Sequence, residues 1–124
     1  MKLAVAFVYA VGSVICHQRP DRSFFWDGQQ LPVCARCTGL YLSGAVAFAL
    51  WWGFRFLRSM PLIAWTPATA LRAITLAAIP TAVSWTSGVL GAWDGSNLTR
   101  ALLAIPLGAV AGSVVAAVSS RDLR

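Results

Sequence analysis

The sequence predicts an all-α integral membrane protein: a four-helix bundle with an ordered extramembrane loop between its first two helices. Three observations carry that expectation. Of 124 residues, 58% are hydrophobic and 11% are charged, whereas a soluble domain carries about 25% charged residues. The mean hydropathy is +0.69. The apolar residues also gather into four charge-poor runs, the number that fits this length when a spanning helix needs roughly 20 residues. The same length allows one domain, 1–124. Three cysteines, an odd number, exclude a disulfide-stapled secreted scaffold.

The first run, residues 3–17, is free of charge. It is short for a span at about 1.5 Å per residue, unless Lys2 snorkels to the interface. A retained helix is expected. The alternative is a cleaved signal peptide, with Lys2 as its basic end and Ala10-Val11-Gly12 as its small-residue site. Residues 17–33 differ in kind, with two prolines, two aspartates and the consecutive aromatics Phe24, Phe25 and Trp26. Bulky rings among polar residues suit the headgroup zone, so an ordered surface loop is expected here. The second span, 38–57, ends in Trp51, Trp52, Phe54 and Phe56 beside Arg55 and Arg58, which reads as an aromatic belt capped by cations. Pro61 and Pro67 punctuate the next connection. The third span, 70–90, carries Pro80, expected to kink it, with Ser84 or Ser87 placed to satisfy freed carbonyls. In the polar turn that follows, Ser96 or Asn97 can cap the fourth span, 98–118. Gly108, Gly112 and Ala116 recur at every fourth residue, as do Gly39, Ser43 and Ala47. Small residues at that spacing let helices pack closely in lipid. They serve contacts within one bundle, self-association or other membrane subunits.

The net charge of +6 describes topology and requires no nucleic acid. With the N-terminus inside, Lys2, Arg55, Arg58, Arg72, Arg121 and Arg124 face the cytoplasm. Arg19, Arg22, Arg36 and Arg100 face the other side, partly offset by Asp21, Asp27 and Asp94. This bias predicts cytoplasmic termini and an extracytoplasmic loop in a bacterial inner membrane. An even number of spans also sets residues 16–37 and 94–100 on one face.

All three cysteines and the single histidine fall between residues 16 and 37: Cys16, His17, Cys34 and Cys37. Three thiolates and an imidazole form a common tetrahedral zinc set. Adjacent Cys16 and His17 can share an ion only across a sharp bend, so a three-sulfur site with His17 behind it is a variant. The competing chemistry is redox. Cys34-x-x-Cys37 opens a helix, where the dipole and Arg36 lower a thiol pKa. That layout resembles the quinone-coupled disulfide-forming membrane oxidoreductases of bacteria, and only under this alternative is quinone a cofactor. The third reading is inert packing of small apolar side chains. Near these residues, Arg100 sits one turn into the fourth helix, where the macrodipole disfavours a cation. Asp94 is its expected partner, with Asn97 on the same face. Gln18, Arg19, Arg22, Arg36, Asp94, Asn97 and Arg100 together are candidates for a polar or anion-binding pocket.

The run Cys16-His17-Gln18, then Arg22-Ser23-Phe24, Gly28 and Pro32-Val33-Cys34-Ala35-Arg36-Cys37-Thr38-Gly39-Leu40-Tyr41 resembles the signature of domain of unknown function 2085, a family of small bacterial membrane proteins. Ser96-Asn97, Arg100 and Gly108 are similar to its second block. Where the family pattern carries an acidic residue shortly after the proline of the third span, this sequence has Ser84. The resemblance implies a multi-span membrane protein with a Cys/His metal site and supplies no activity. Three functions follow as expectations: a zinc-binding membrane module, a thiol–disulfide oxidoreductase, and an accessory subunit of a larger membrane complex.

Overall fold

The computed structural model describes residues 2–58 and 65–120; Pro61, Arg121 and Arg124 lie outside the described residues. Helix α1 (Lys2–Ile15) leads through a 3-10 turn (Pro20–Arg22) to strands β1 (Ser23–Trp26) and β2 (Gln29–Cys34). Three long helices follow, α2 (Ala35–Arg58), α3 (Pro67–Val89) and α4 (Asn97–Ser119). The molecule is therefore mostly helical but not strictly all-α.

The loop between the first two helices is built around a β-hairpin. Asp27 and Gly28 both take left-handed backbone angles, φ 50° and 75°, the requirement of a two-residue type I′ turn. Trp26 pairs with Gln29, Phe25 with Gln30 and Ser23 with Cys34. The register shifts between Ser23 and Phe25, opposite the part of β2 where Pro32 has no N–H to give the ladder.

Helices α2, α3 and α4 each supply a candidate span of 23 residues, about 35 Å at 1.5 Å per residue, enough for a hydrocarbon core of about 30 Å. Their outward faces are exposed and apolar, as at Leu42, Leu76, Val83 and Val115. That surface has no stable place in water and is at home in lipid. Between α2 and α4 the backbones touch. A Cβ on Gly39 would strike the Ala101 carbonyl, one on Gly108 the Leu40 carbonyl and Ser43 hydroxyl, and one on Gly112 the Gly44 carbonyl. The small-residue stripes thus serve contacts within the bundle.

Helix α3 leans on α4, and Thr81 donates to the Leu103 carbonyl at 3.0 Å. This bond joins the two helices beside Pro80 and one turn before Pro106, where each internal ladder is interrupted. Ser87 bonds the Val83 carbonyl of its own helix, and Ser84 accepts from Arg36. Neither is bonded to the Leu76 carbonyl that Pro80 leaves free, contrary to expectation. Trp51 also departs from the expected aromatic belt. It is buried with Trp65, Ala70, Ala116 and Ala117, while Trp52, Phe54 and Phe56 remain exposed.

Helix α1 ends at Ile15, short of the expected residue 17, and its 14 residues reach only about 21 Å. It packs chiefly against β2, so the expected four-helix bundle is three long helices with α1 laid on the hairpin. Gly12 is buried at the crossing, where a Cβ would meet the Pro32 carbonyl. The Gln18 amide donates to the carbonyls of Tyr9 (3.0 Å) and Pro32 (2.7 Å). Gln30 donates to the Gln18 carbonyl at 2.6 Å and the Ser23 hydroxyl at 3.1 Å. The Tyr9 hydroxyl donates in turn to the Gln30 carbonyl.

Candidate metal centre

Each cysteine reaches the site from a different element. Cys16 follows α1, its N–H still bonded to the Gly12 carbonyl at 2.9 Å. Cys34 ends β2 at the N-cap of α2, and Cys37 lies in the first turn of α2. Their three sulfurs lie within 4.8 Å of one another, and all three are free thiols. Zinc–sulfur bonds of about 2.3 Å in a tetrahedron set sulfurs about 3.8 Å apart. Small side-chain rotations close that gap. The Cys34 N–H donates to Cys16 Sγ at 3.2 Å, and the Thr38 hydroxyl holds the Cys34 carbonyl at 3.1 Å.

The Cys34 thiol is drawn down to about 5, chiefly by a hydrogen bond from the Cys37 thiol. Burial opposes the shift, and the backbone N–H of Cys37, the Cys16 thiol and the backbone N–H of Arg36 reinforce it. A thiolate prepared in this way suits metal ligation.

His17 is exposed and lies outside the three-sulfur group. It follows an inward-pointing Cys16 and sits instead on the rim of an adjoining cavity of about 440 Å³. The three cysteines, Gln18, Arg19, Arg22, Arg36, Ile15 and Trp85 complete the lining. A separate groove of about 500 Å³ between α2 and α4 is lined by apolar side chains with Tyr41 and offers no metal ligand.

The expected polar pocket divides in two. Gln18, Arg19, Arg22 and Arg36 line the cavity, whereas Asp94, Asn97 and Arg100 form a clamp beside it. Asp94 pairs with the buried Arg100 and, at 3.3 Å, with Arg22. Arg100 also donates to Asn97 Oδ1 at 2.8 Å, and the Asn97 amide donates to the Ser23 carbonyl at 3.0 Å. Ser96 accepts from the Thr99 N–H at 3.2 Å and is the true N-cap of α4, leaving Asn97 free for this role. The hairpin and the turn before α4 therefore do share one face. Ser84 and Trp85 join the site from α3; the family pattern singles out the position of Ser84, and no local pattern marks Trp85. Gln30 had a weak signal, two residues past the Asp27-Gly28 hairpin turn.

Long apolar helices beneath a cap that gathers three thiols define a small multi-span membrane protein with a candidate metal site. The chain belongs to the family of predicted membrane proteins known as DUF2085, whose pattern matches residues 16–115 and so takes in the three cysteines and every other residue of the site but Ile15. It is 38% identical over 94 residues to an uncharacterized protein of Methanothermobacter thermautotrophicus, covering 76% of this chain and 78% of the relative. It is also 50% identical over 44 residues to the uncharacterized protein MJ1492 of Methanocaldococcus jannaschii, covering 36% of this chain and 28% of that one. Both relatives are archaeal, in contrast to the expected bacterial setting. No solved structure matches the chain.

Proposed function

We propose that this is a metal–thiolate membrane protein in which Cys16, Cys34 and Cys37 hold one zinc ion at the membrane surface. The observation that carries this reading is the convergence of three sulfurs from α1, β2 and α2 within 4.8 Å. Thiolate-rich ligation favours zinc among the divalent ions. Three protein ligands leave a fourth position, as in zinc sites that bind or activate a small ligand. The three cysteines and His17 line the same cavity, which would give a small ligand access to a metal held there. From the cation balance we infer that the cap faces outward and that Arg55 and Arg72 face the cytoplasm.

Elemental analysis of purified protein should find about one equivalent of zinc. Cys34→Ser and Cys37→Ser should each abolish it. Stoichiometric zinc in the double variant overturns the reading. Alkylation separates this chemistry from redox cycling: thiols protected until a strong chelator is added support the metal. A reversible Cys34–Cys37 disulfide indifferent to chelator supports an oxidoreductase instead.

A further inference from the structure

We propose that the cavity beside the three sulfurs binds phosphate, either the phosphoryl group of a lipid headgroup or a free phosphate ion. Arg19, Arg22 and Arg36 supply three guanidinium groups to its lining, and no carboxylate lines it. The acidic partners of Arg19 and Arg22, Asp21 and Asp94, stand outside that lining. Arg36 is the principal residue. Its Nη2 donates to the neutral hydroxyl of Ser84 at 3.0 Å, and it forms no ion pair among the described residues. The Nε group of Arg36 is buried without a hydrogen-bond acceptor, and that of Arg22 has nothing nearer than an Asp21 carboxylate oxygen at 3.6 Å. Leaving a buried guanidinium N–H without an acceptor is costly. A tetrahedral oxyanion offsets that cost, because its oxygens match the planar fork of donors.

The lining also includes the apolar side chains of Ile15 and Trp85, which are 51% and 58% exposed. Trp85 lies four residues before Val89, the last residue of α3, and Cys37 lies in the first turn of α2. The cavity therefore sits where the spans end, at headgroup depth. A lining that combines guanidinium groups with an indole matches a phosphate joined to its glycerol and acyl chains. The proposal shares its cavity with the metal reading but assigns the binding to different side chains.

The test titrates inorganic phosphate calorimetrically into the full chain, delipidated in phosphate-free maltoside micelles, with and without added phosphatidylglycerol. Saturable binding is expected, weakened about tenfold or more by Arg36→Gln or Arg22→Gln. Arg72→Gln, at the opposite end of the spans, should leave it unchanged. Phosphate binding that disappears when phosphatidylglycerol is present identifies a lipid headgroup as occupant; equal binding in both samples identifies free phosphate. Absence of saturable binding by either source, or equal affinity in Arg36→Gln and wild type, overturns the proposal. If Arg36→Gln lowers the melting temperature, Arg19→Gln carries the test instead. Its side chain is exposed, so a smaller loss of roughly two- to fivefold is expected, and no loss overturns the proposal. Repeating the titration on the Cys34→Ser, Cys37→Ser variant separates the two readings. Zinc retained by that variant sinks only the metal assignment, whereas zinc-loaded wild type that ignores both phosphate sources sinks only the phosphate site.

Discussion

Asp94 is shared by two guanidinium groups, one from α4 and one from the turn before the hairpin. Arg100 occupies the first turn of α4, where the helix dipole opposes a cation, and Asp94 with Asn97 compensates it. The Asp94 carboxyl is held below the usual carboxylate range, first by the Arg100 hydrogen bond, with partial burial opposing. The charges of Arg100, Arg22 and Arg36 add to the lowering. A carboxyl lowered on folding stabilises fully above its unfolded value and loses that contribution only as pH falls through the folded one. The clamp should therefore stay closed throughout mildly acidic pH and open below the ordinary carboxylate range. Amide hydrogen exchange across residues 94–100, followed against pH, checks this. Asp94→Asn should exchange faster at every pH and show no acid step. Opening near pH 6 would overturn the assignment to Asp94.

Among the elements, the α2–α4 contact depends most on the identity of single residues. Gly108→Leu would drive a side chain into the Leu40 carbonyl and Ser43, and overpacking of that kind costs about 1–3 kcal/mol. A lower melting temperature in detergent is expected. Gly53→Leu, where nothing lies within 4 Å, should melt like the wild type. The three long helices and the small-residue stripes were legible in the sequence because lipid imposes length and apolarity on every span. The thiol set was legible too, because ligating side chains crowd one stretch of chain. The hairpin was hidden in a segment whose aromatics signalled an interface, although Asp27-Gly28 between Trp26 and Gln29 marks its turn. Arg36 meeting Ser84 and Asn97 meeting Ser23 were not legible. Such pairs, 48 and 74 residues apart, depend on how helices stand against each other, which no local pattern encodes.

At the scale of the whole molecule, the cap is held to the helices by contacts from three directions. Arg36 reaches Ser84 on α3, Asn97 of α4 reaches Ser23, and Arg22 reaches Asp94. Every cysteine of the chain lies in this one region, so the native thiols report which side it faces. After chelation, a membrane-impermeant maleimide added to intact cells should label Cys34 and Cys37. Labelling that appears only once the membrane is permeabilised reverses the orientation.

The stripe Ala101, Ala104, Gly108, Gly112 and Ala116 along α4 changes what a substitution means in this protein. Water sorts the side chains of a soluble helix by polarity, and an error announces itself as a charge in the core or grease on the surface. Here both sides of α4 are already apolar, so polarity barely distinguishes the face that touches α2 from the face that touches lipid. What distinguishes them is volume. Outward positions such as Leu102 and Val115 accept nearly any alkyl group. Along the stripe, one extra methylene is a heavier insult than a change of chemical character. The helix is spelled in sizes, and a hydropathy profile reads right over the message.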